Sequence, residues 1–217
     1  MNSDKSKKGF FITIEGPEGA GKSTLAGAIE KFLVSHGRTC LRTREPGGTP
    51  LAEKLRGVLK QHSGDETLHT MTELFLMEAA RVQHVEEVIR PAVERGCVVI
   101  CDRFYDSTSA YQGGARSVDM QVIKQLNDLA VSGCHPDLTL LLDLPVECGF
   151  ARTGKRQETQ GEFDRFEQEG LAFHNTVRKT FLELAGRDPE RIKVIDASRT
   201  PAEISLEVEK LIYDALF

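Results

Sequence analysis

The sequence predicts an α/β protein whose five-stranded parallel sheet is flanked by helices. Three observations carry this. Five short apolar or β-branched runs recur along the chain, helical patterns separate them, and a glycine-rich loop joins the first run to the first helix. Such alternation yields parallel strands covered on both faces. The first strand is expected over 9–15, with Phe10 to Ile14 as its centre. A helix over 22–36 follows, with Leu25, Ile29, Phe32 and Leu33 on one face and Gly37 as its stop. Residues 39–44 are the second strand, and a turn at Pro46-Gly47-Gly48 leads into a short helix over 50–60. After a polar link, 72–95 reads as one long helix with Pro91 marking a kink near its end. The run 97–101 is apolar without a break, as in a strand buried on both faces. Val122, Leu126 and Leu129 mark the next helix, 138–144 is the fourth strand, and Pro145 opens a further helix at its first turn. A polar stretch over 154–161 interrupts the alternation. A helix over 165–185 carries Phe166, Phe173, Val177, Phe181 and Leu184 on one side. The fifth strand is 191–195, and Ile204, Val208, Leu211 and Ile212 mark the last helix. No repeat or linker divides the chain, so 1–217 is expected to be one domain. Its ligand crevice should lie beyond the strand C-termini, where Gly16, Arg44, Asp102 and Asp143 fall.

At 40% hydrophobic and 28% charged residues over 217 positions, the composition is that of an ordinary soluble protein. A net charge of −5 argues against sequence-independent binding of a nucleic-acid polymer, which calls for a strongly basic surface. The five cysteines (Cys40, Cys97, Cys101, Cys134 and Cys148) have no metal-ligand spacing and suit the role of small apolar residues. Their odd count points to a reducing cytoplasm. So does the lack of a signal-type segment, the apolar run at Phe10–Ile14 being too short for one. No apolar run approaches the length of a membrane span.

The loop Gly16-Pro17-Glu18-Gly19-Ala20-Gly21-Lys22-Ser23 fits G-x-x-x-x-G-K-[ST], the pattern that wraps nucleoside triphosphate phosphates. Its glycines let successive N–H groups converge on phosphate oxygens, and the helix N-terminus adds partial positive charge. Lys22 reaches the terminal phosphates in such loops, and the Ser23 hydroxyl ligates Mg²⁺. Neither Asn-Lys-x-Asp nor Leu-Ser-Gly-Gly-Gln occurs, which sets aside GTPases and transporter ATPases. Asp102, directly after the third strand, is placed to hold Mg²⁺ directly or through water. Arg103 beside it sets a fixed cation beyond the γ-phosphate, where an anionic acceptor would sit. A plain strand-end ion pair is the other reading of these two residues.

With these segments the chain resembles the thymidylate kinase family of nucleoside monophosphate kinases, nearly end to end. Glu15 to Ser23, Thr43-Arg44-Glu45-Pro46-Gly47-Gly48-Thr49, Ala79-Ala80-Arg81-Val82-Gln83 and Asp102 to Gly113 carry the resemblance. It implies a three-layer P-loop nucleoside monophosphate kinase fold with a basic mobile lid over about 152–165. It implies the reaction ATP + dTMP → ADP + dTDP in dTTP biosynthesis, with Mg²⁺ as cofactor and ATP as co-substrate. The long helix over 72–95 has more apolar face than one sheet covers, which suits the homodimer usual in the family.

The resemblance assigns ATP binding to Gly16, Pro17, Glu18, Gly19, Ala20, Gly21, Lys22, Ser23 and Thr24, and the metal to Ser23 and Asp102. It gives Glu18 to the sugar 3′-hydroxyl of dTMP and Arg81 to thymine O4; an interhelical ion pair would equally satisfy Arg81. Arg44 and Arg103 look like clamps on the acceptor phosphate, with Arg56 a weaker candidate, because a guanidinium can donate two bonds to one phosphate. Met77 stands where the family commonly stacks Phe on the base, and Phe75 lies on another helix face. Thr108 would meet the polar edge of thymine with Ser107 and Gln112 nearby. Tyr111 would fill the space of a ribose 2′-hydroxyl, or else simply pack. The loop offers no cation besides Lys22, so Arg156 and Arg152 of the lid are expected over the γ-phosphate, with Gly154 and Gly161 as hinges. Asp196 to Pro201 resembles the adenine-side loop. The acceptor phosphate is already ionised at pH 7, so no catalytic His or Cys is expected. A different deoxynucleotide or deoxynucleoside kinase, or a non-catalytic ATP-binding regulator, are the competing readings.

Overall fold

The structure is a computed structural model that describes residues 8–61, 66–152, 165–166 and 168–217. Strands β1 (Phe10–Glu15), β2 (Cys40–Arg44), β3 (Val98–Asp102), β4 (Leu138–Asp143) and β5 (Ile192–Asp196) pair in parallel in the order β2-β3-β1-β4-β5. Each ends within one residue of its expected bounds. Strand alternation turns Ile12 and Ile14 of β1, Ile100 of β3 and Leu140 of β4 to one face. There they pack on α1 (Lys22–Ser35) and α9 (Pro201–Leu216). Phe11, Val99 and Cys101 face the other way, and Leu141 and Ile192 extend that second face. Burying both faces explains why these strands read as apolar runs instead of alternating ones.

The remaining helices are α2 (Pro50–Lys60), α3 (Thr70–His84), α4 (Arg90–Glu94), α5 (Tyr105–Thr108), α6 (Met120–Val131), α7 (146–152) and α8 (Leu171–Arg187). The single helix expected over 72–95 is instead α3 and α4 joined by a π turn at Val85–Ile89. Pro91 has no N–H and crowds the preceding turn. The ladder before it opens, and the Arg90 N–H donates five residues back to Val85 O. The stripe continues through fully buried Ile89, with Val88 only half-buried.

One further expectation is corrected. The helix expected from Arg165 begins at Leu171, because Arg165 and Phe166 lie in a turn closed by the Glu169 N–H on Phe166 O. In α6, Val122 and Leu129 are exposed, and Ile123, Asn127 and Ala130 face the protein. Both sets have helical spacing. The inward one was disguised by Asn127, whose burial is satisfied by a bond from Arg81 Nη1 to its Oδ1 at 3.1 Å. Pro145 sits just before α7, its carbonyl accepting from the Cys148 and Gly149 N–H groups. The 102–113 segment, given no element from sequence, folds as α5 and a second π turn at Ser109–Ala115.

The C-terminal helix α9 closes one face of the sheet and starts on a capping box. Thr200 Oγ1 accepts from the Glu203 N–H, and the Glu203 carboxylate accepts from the Thr200 N–H. Thr200→Ala should destabilise the protein by ~1 kcal/mol in urea unfolding and leave activity unchanged.

Candidate active site

The five strands end at one edge of the sheet, and the segments that follow β1, β2 and β3, with Arg152 and Phe166 beyond β4, line a cleft of about 550 Å³. Sheet register sets its floor. Ile14 and Arg44 both stand opposite Asp102, so the ends of β1, β2 and β3 arrive abreast. The loop after β1 turns back at Gly16, where φ is +134° and an added Cβ would stand 2.3 Å from Leu142 O. Only glycine fits so close to β4 in that conformation. The loop delivers the chain to Gly21, the N-cap of α1, which has no side-chain cap and leaves the first N–H groups facing the cleft side. Lys22 is buried and folds over the loop, its Nζ donating to Gly16 O at 3.1 Å and Pro17 O at 2.8 Å. Burial, then the neighbouring Arg103, lower its pKa, against the pull of Glu18, Asp102 and Glu15. Glu18, Gly19, Gly21, Lys22, Ser23 and Thr24 line the cleft, and Gly16, Pro17 and Ala20 support it from behind.

Ser23 Oγ donates to Asp102 Oδ2 at 3.0 Å, and the other carboxylate oxygen, Oδ1, is buried without a hydrogen-bond partner among the described residues. An orphaned carboxylate oxygen beside a hydroxyl fits a hard divalent cation that takes its other ligands from phosphate and water. No group of three or more His, Cys, Asp or Glu side chains able to hold a metal occurs among the described residues.

Arg103 has a positive φ of 67°, the left-handed region, which costs a non-glycine residue on the order of 1 kcal/mol. Its N–H holds the turn by donating to Ile14 O at 2.9 Å. The strained turn aims the side chain into the cleft. Nη1 donates to Gly16 O at 3.1 Å and Ser107 Oγ at 3.2 Å, and Nη2 pairs with Glu18. Burial works against the Glu18 carboxylate, but Arg103 and Lys22 outweigh it and hold its pKa down at about 2. Behind Arg103, fully buried Glu15 accepts from Ser107 Oγ at 2.6 Å and from the Phe104 N–H at 2.7 Å. Burial and the nearby Asp106 push its pKa up to about 7.

The other end of the cleft is lined by Met77, Arg81, Thr108, Tyr111, Gln112 and Phe166. Arg81 is buried and donates to Glu45 at 2.9 Å, Glu78 at 2.6 Å and Thr108 Oγ1 at 2.9 Å, so its ion pairs run within α3 and to the turn after β2, not between helices, and it still lines the cleft. Gln112 Nε2 donates to buried Glu73 at 2.7 Å. The Tyr111 ring lies under Arg103 at 5.3 Å from its guanidinium carbon. Burial pushes that phenol up to about 12. Phe75 is exposed on the far face of α3.

Arg44 reaches the cleft but is largely exposed and paired with Glu53 at 3.0 Å; Arg56 Nη1 donates to Pro46 O at 2.8 Å. Arg152 lines the cleft and donates to Ala197 O at 3.2 Å, bridging towards the segment after β5. Arg156, Gly154 and Gly161 lie outside the described residues. Asp143, though at the end of β4, is held by Arg178 through two bonds of 2.7 and 2.9 Å and does not line the cleft. The sequence reading gave no role to Glu45, which is buried and lines the cleft, or to Glu15, Glu73 and His84, which are buried outside its lining. An acid closing an apolar strand, as Glu15 does, was the available signal.

The family profile described as Thymidylate kinase matches residues 14–208. The chain is 48% identical over 204 residues to a thymidylate kinase of Ectopseudomonas mendocina (strain ymp), covering 94% of this chain and 95% of that one. To a thymidylate kinase of Syntrophotalea carbinolica it is 50% identical over 197 residues, 90% and 91% of the two chains. A solved thymidylate kinase from Ehrlichia chaffeensis superposes with a TM-score of 0.74 at 32% identity, over 94% of this chain and 98% of that one.

The Glu18–Arg103 pair contributes stability above the ordinary carboxylate range near 4.5 and loses it as pH falls towards about 2. Glu18→Gln should therefore cost stability at pH 6 and nearly match the parent at the lowest pH where both still fold, as read by denaturant unfolding.

Proposed function

The chain belongs to the thymidylate kinase family, and we infer that it phosphorylates dTMP to dTDP with ATP as donor. One observation carries the reading at this site: a single continuous cleft joins the phosphate loop to the pocket around Arg81, with Arg103 between them. Its volume of about 550 Å³ lies within the range of small-molecule sites.

In this reading Gly16 to Thr24 hold the ATP phosphates, with Lys22 on the terminal ones. Arg103, Arg44 and Arg56 bind the acceptor phosphate. Glu18 takes the sugar 3′-hydroxyl, and Tyr111 closes the space of a 2′-hydroxyl. Arg81, Thr108, Ser107 and Gln112 face the polar edge of the pyrimidine, and Met77 covers its ring. Ser23 and Asp102 hold Mg²⁺, which when bound supplies charge to offset the phosphates. The orphaned Asp102 oxygen supports that assignment.

The acceptor oxygen is ionised at neutral pH and needs no general base. The barrier is the approach of two polyanions and the charge on the transferring group. Lys22 and Arg103 exchange their carbonyl and Glu18 contacts for phosphate oxygens and fix an in-line approach. Arg152 and Arg156 close from a lid over about 152–165 within one domain, and the bond of Arg152 to Ala197 O sets its root beside the adenine-side loop.

The protein acts as a homodimer in the cytoplasm. Exposed Phe75 and Val82 on α3, and exposed Val122 and Leu129 on α6, which packs against α3, support the dimer. The free cysteines support a reducing compartment.

Offered ATP with dTMP, dUMP, dCMP, dGMP or thymidine, the enzyme should form product fastest from dTMP; a clear preference for another acceptor rejects the reading. Lys22→Ala and Arg103→Ala should each lose roughly 10³-fold or more in kcat with an unchanged circular dichroism spectrum. Leu129→Glu should convert the dimer to monomer in sedimentation velocity, and a parent already monomeric at micromolar concentration removes the dimer proposal.

A further inference from the structure

We propose that His84 is a positioning residue for pyrimidine recognition: it fixes the Glu45 carboxylate that aims the Arg81 guanidinium into the cleft. The inference rests on the dTMP reading of that cleft and names a residue no step of phosphoryl transfer uses.

His84 is completely buried at the end of α3, with Nδ1 3.0 Å from Glu45 Oε1 and Nε2 2.6 Å from Thr43 Oγ1. An ionised carboxylate only accepts, which puts a ring proton on Nδ1 and aims it at Glu45. The second Glu45 oxygen accepts from Arg81 Nε. Arg81 then directs Nη1 to Glu78 and Asn127 and one N–H of Nη2 to Thr108. One Nη2 N–H is left without a partner among the described residues, on a side chain that lines the cleft.

Ion pairing alone does not set this direction. Glu78 lies one turn back on the same helix and competes for the guanidinium. Glu45 would turn to bond Arg81 with both oxygens if its Oε1 had no other donor, because a buried acceptor left unpaired is costly. That turn would swing Nη2 off Thr108. The His84 N–H prevents it by engaging Oε1 from the opposite side.

The backbone around the ring carries an independent sign of the same role. A Cβ on Gly48 would stand 2.4 Å from His84 Cδ2 and Nε2 and 2.8 Å from Thr43 Oγ1, and Gly48 has φ of +84°. The turn that follows Glu45 is thus built directly onto the imidazole. The ring sets both the bond to the carboxylate and the height of the segment that carries it.

Steady-state kinetics of purified His84→Leu, with ATP saturating and dTMP varied, test this. The dTMP KM should rise roughly tenfold, the scale of one buried hydrogen bond, while kcat and the ATP KM stay within about twofold. His84→Asn, whose amide N–H reaches the place of Nδ1, should recover most of the affinity. Thr43→Val leaves the ring in place and removes the hydroxyl that orients it. It should raise the dTMP KM in the same direction by less, and it serves where His84→Leu does not fold. An unchanged dTMP KM in the variant that folds, a fall confined to kcat, or a His84→Asn enzyme no better than His84→Leu overturns the proposal. A parent enzyme that leaves dTMP unphosphorylated overturns the dTMP reading itself, a separate result.

Discussion

A site for two polyanions has to be cationic before they arrive, and buried cations are not stable alone. The chain meets this constraint with two kinds of partner. Lys22 rests on the carbonyls of Gly16 and Pro17, Arg103 on Gly16 O and partly exposed Glu18, and Arg44 on exposed Glu53. Exposed ion pairs are worth about 0–1 kcal/mol. A bond from a guanidinium or ammonium to a charged oxygen is worth about 1.5–3 kcal/mol. In the proposed reading these are the contacts that give way to phosphate oxygens. Arg81 is different, because Glu45 and Glu78 are both buried and hold it permanently. One end of the cleft is made of cations on loan to the protein, the other of a cation locked in place.

The sheet supplies the geometry that makes this pairing workable. Parallel strands in the order β2-β3-β1-β4-β5 bring the phosphate loop, Arg44 and the Asp102-Arg103 pair to one edge without any long excursion. The left-handed residue at Arg103 spends conformational stability to point a guanidinium where a relaxed backbone would not. Glu15 and Ser107 brace it from behind.

Much of this was legible in the sequence because its signals are local. Strand runs, the phosphate loop and the Asp102-Arg103 pair are each contiguous, and the sheet built from them agrees with the reading. What escaped was set by partners distant in the chain. Asn127 reads as a surface residue until Arg81, 46 positions away, appears beside it. Glu45 and His84 are unremarkable letters in a turn and a helix, and their bond spans 39 positions. The π turns escaped because hydrophobic spacing does not distinguish a widened turn from an α turn. Arg165 broke the expected helix by reaching Leu59 O, a contact no periodicity encodes.

The widened turn at Val85–Ile89 has a geometric result of its own. One additional residue re-phases a helix by about 100° without interrupting it. Upstream of it, α3 turns Arg81 and His84 towards polar neighbours; downstream, Ile89 and Ala92 settle against the apolar underside of the sheet. A uniformly wound rod would have to serve both environments along a single unshifted line. The extra peptide works like a spacer in a gear train, letting one continuous segment mesh with two surfaces that are out of step.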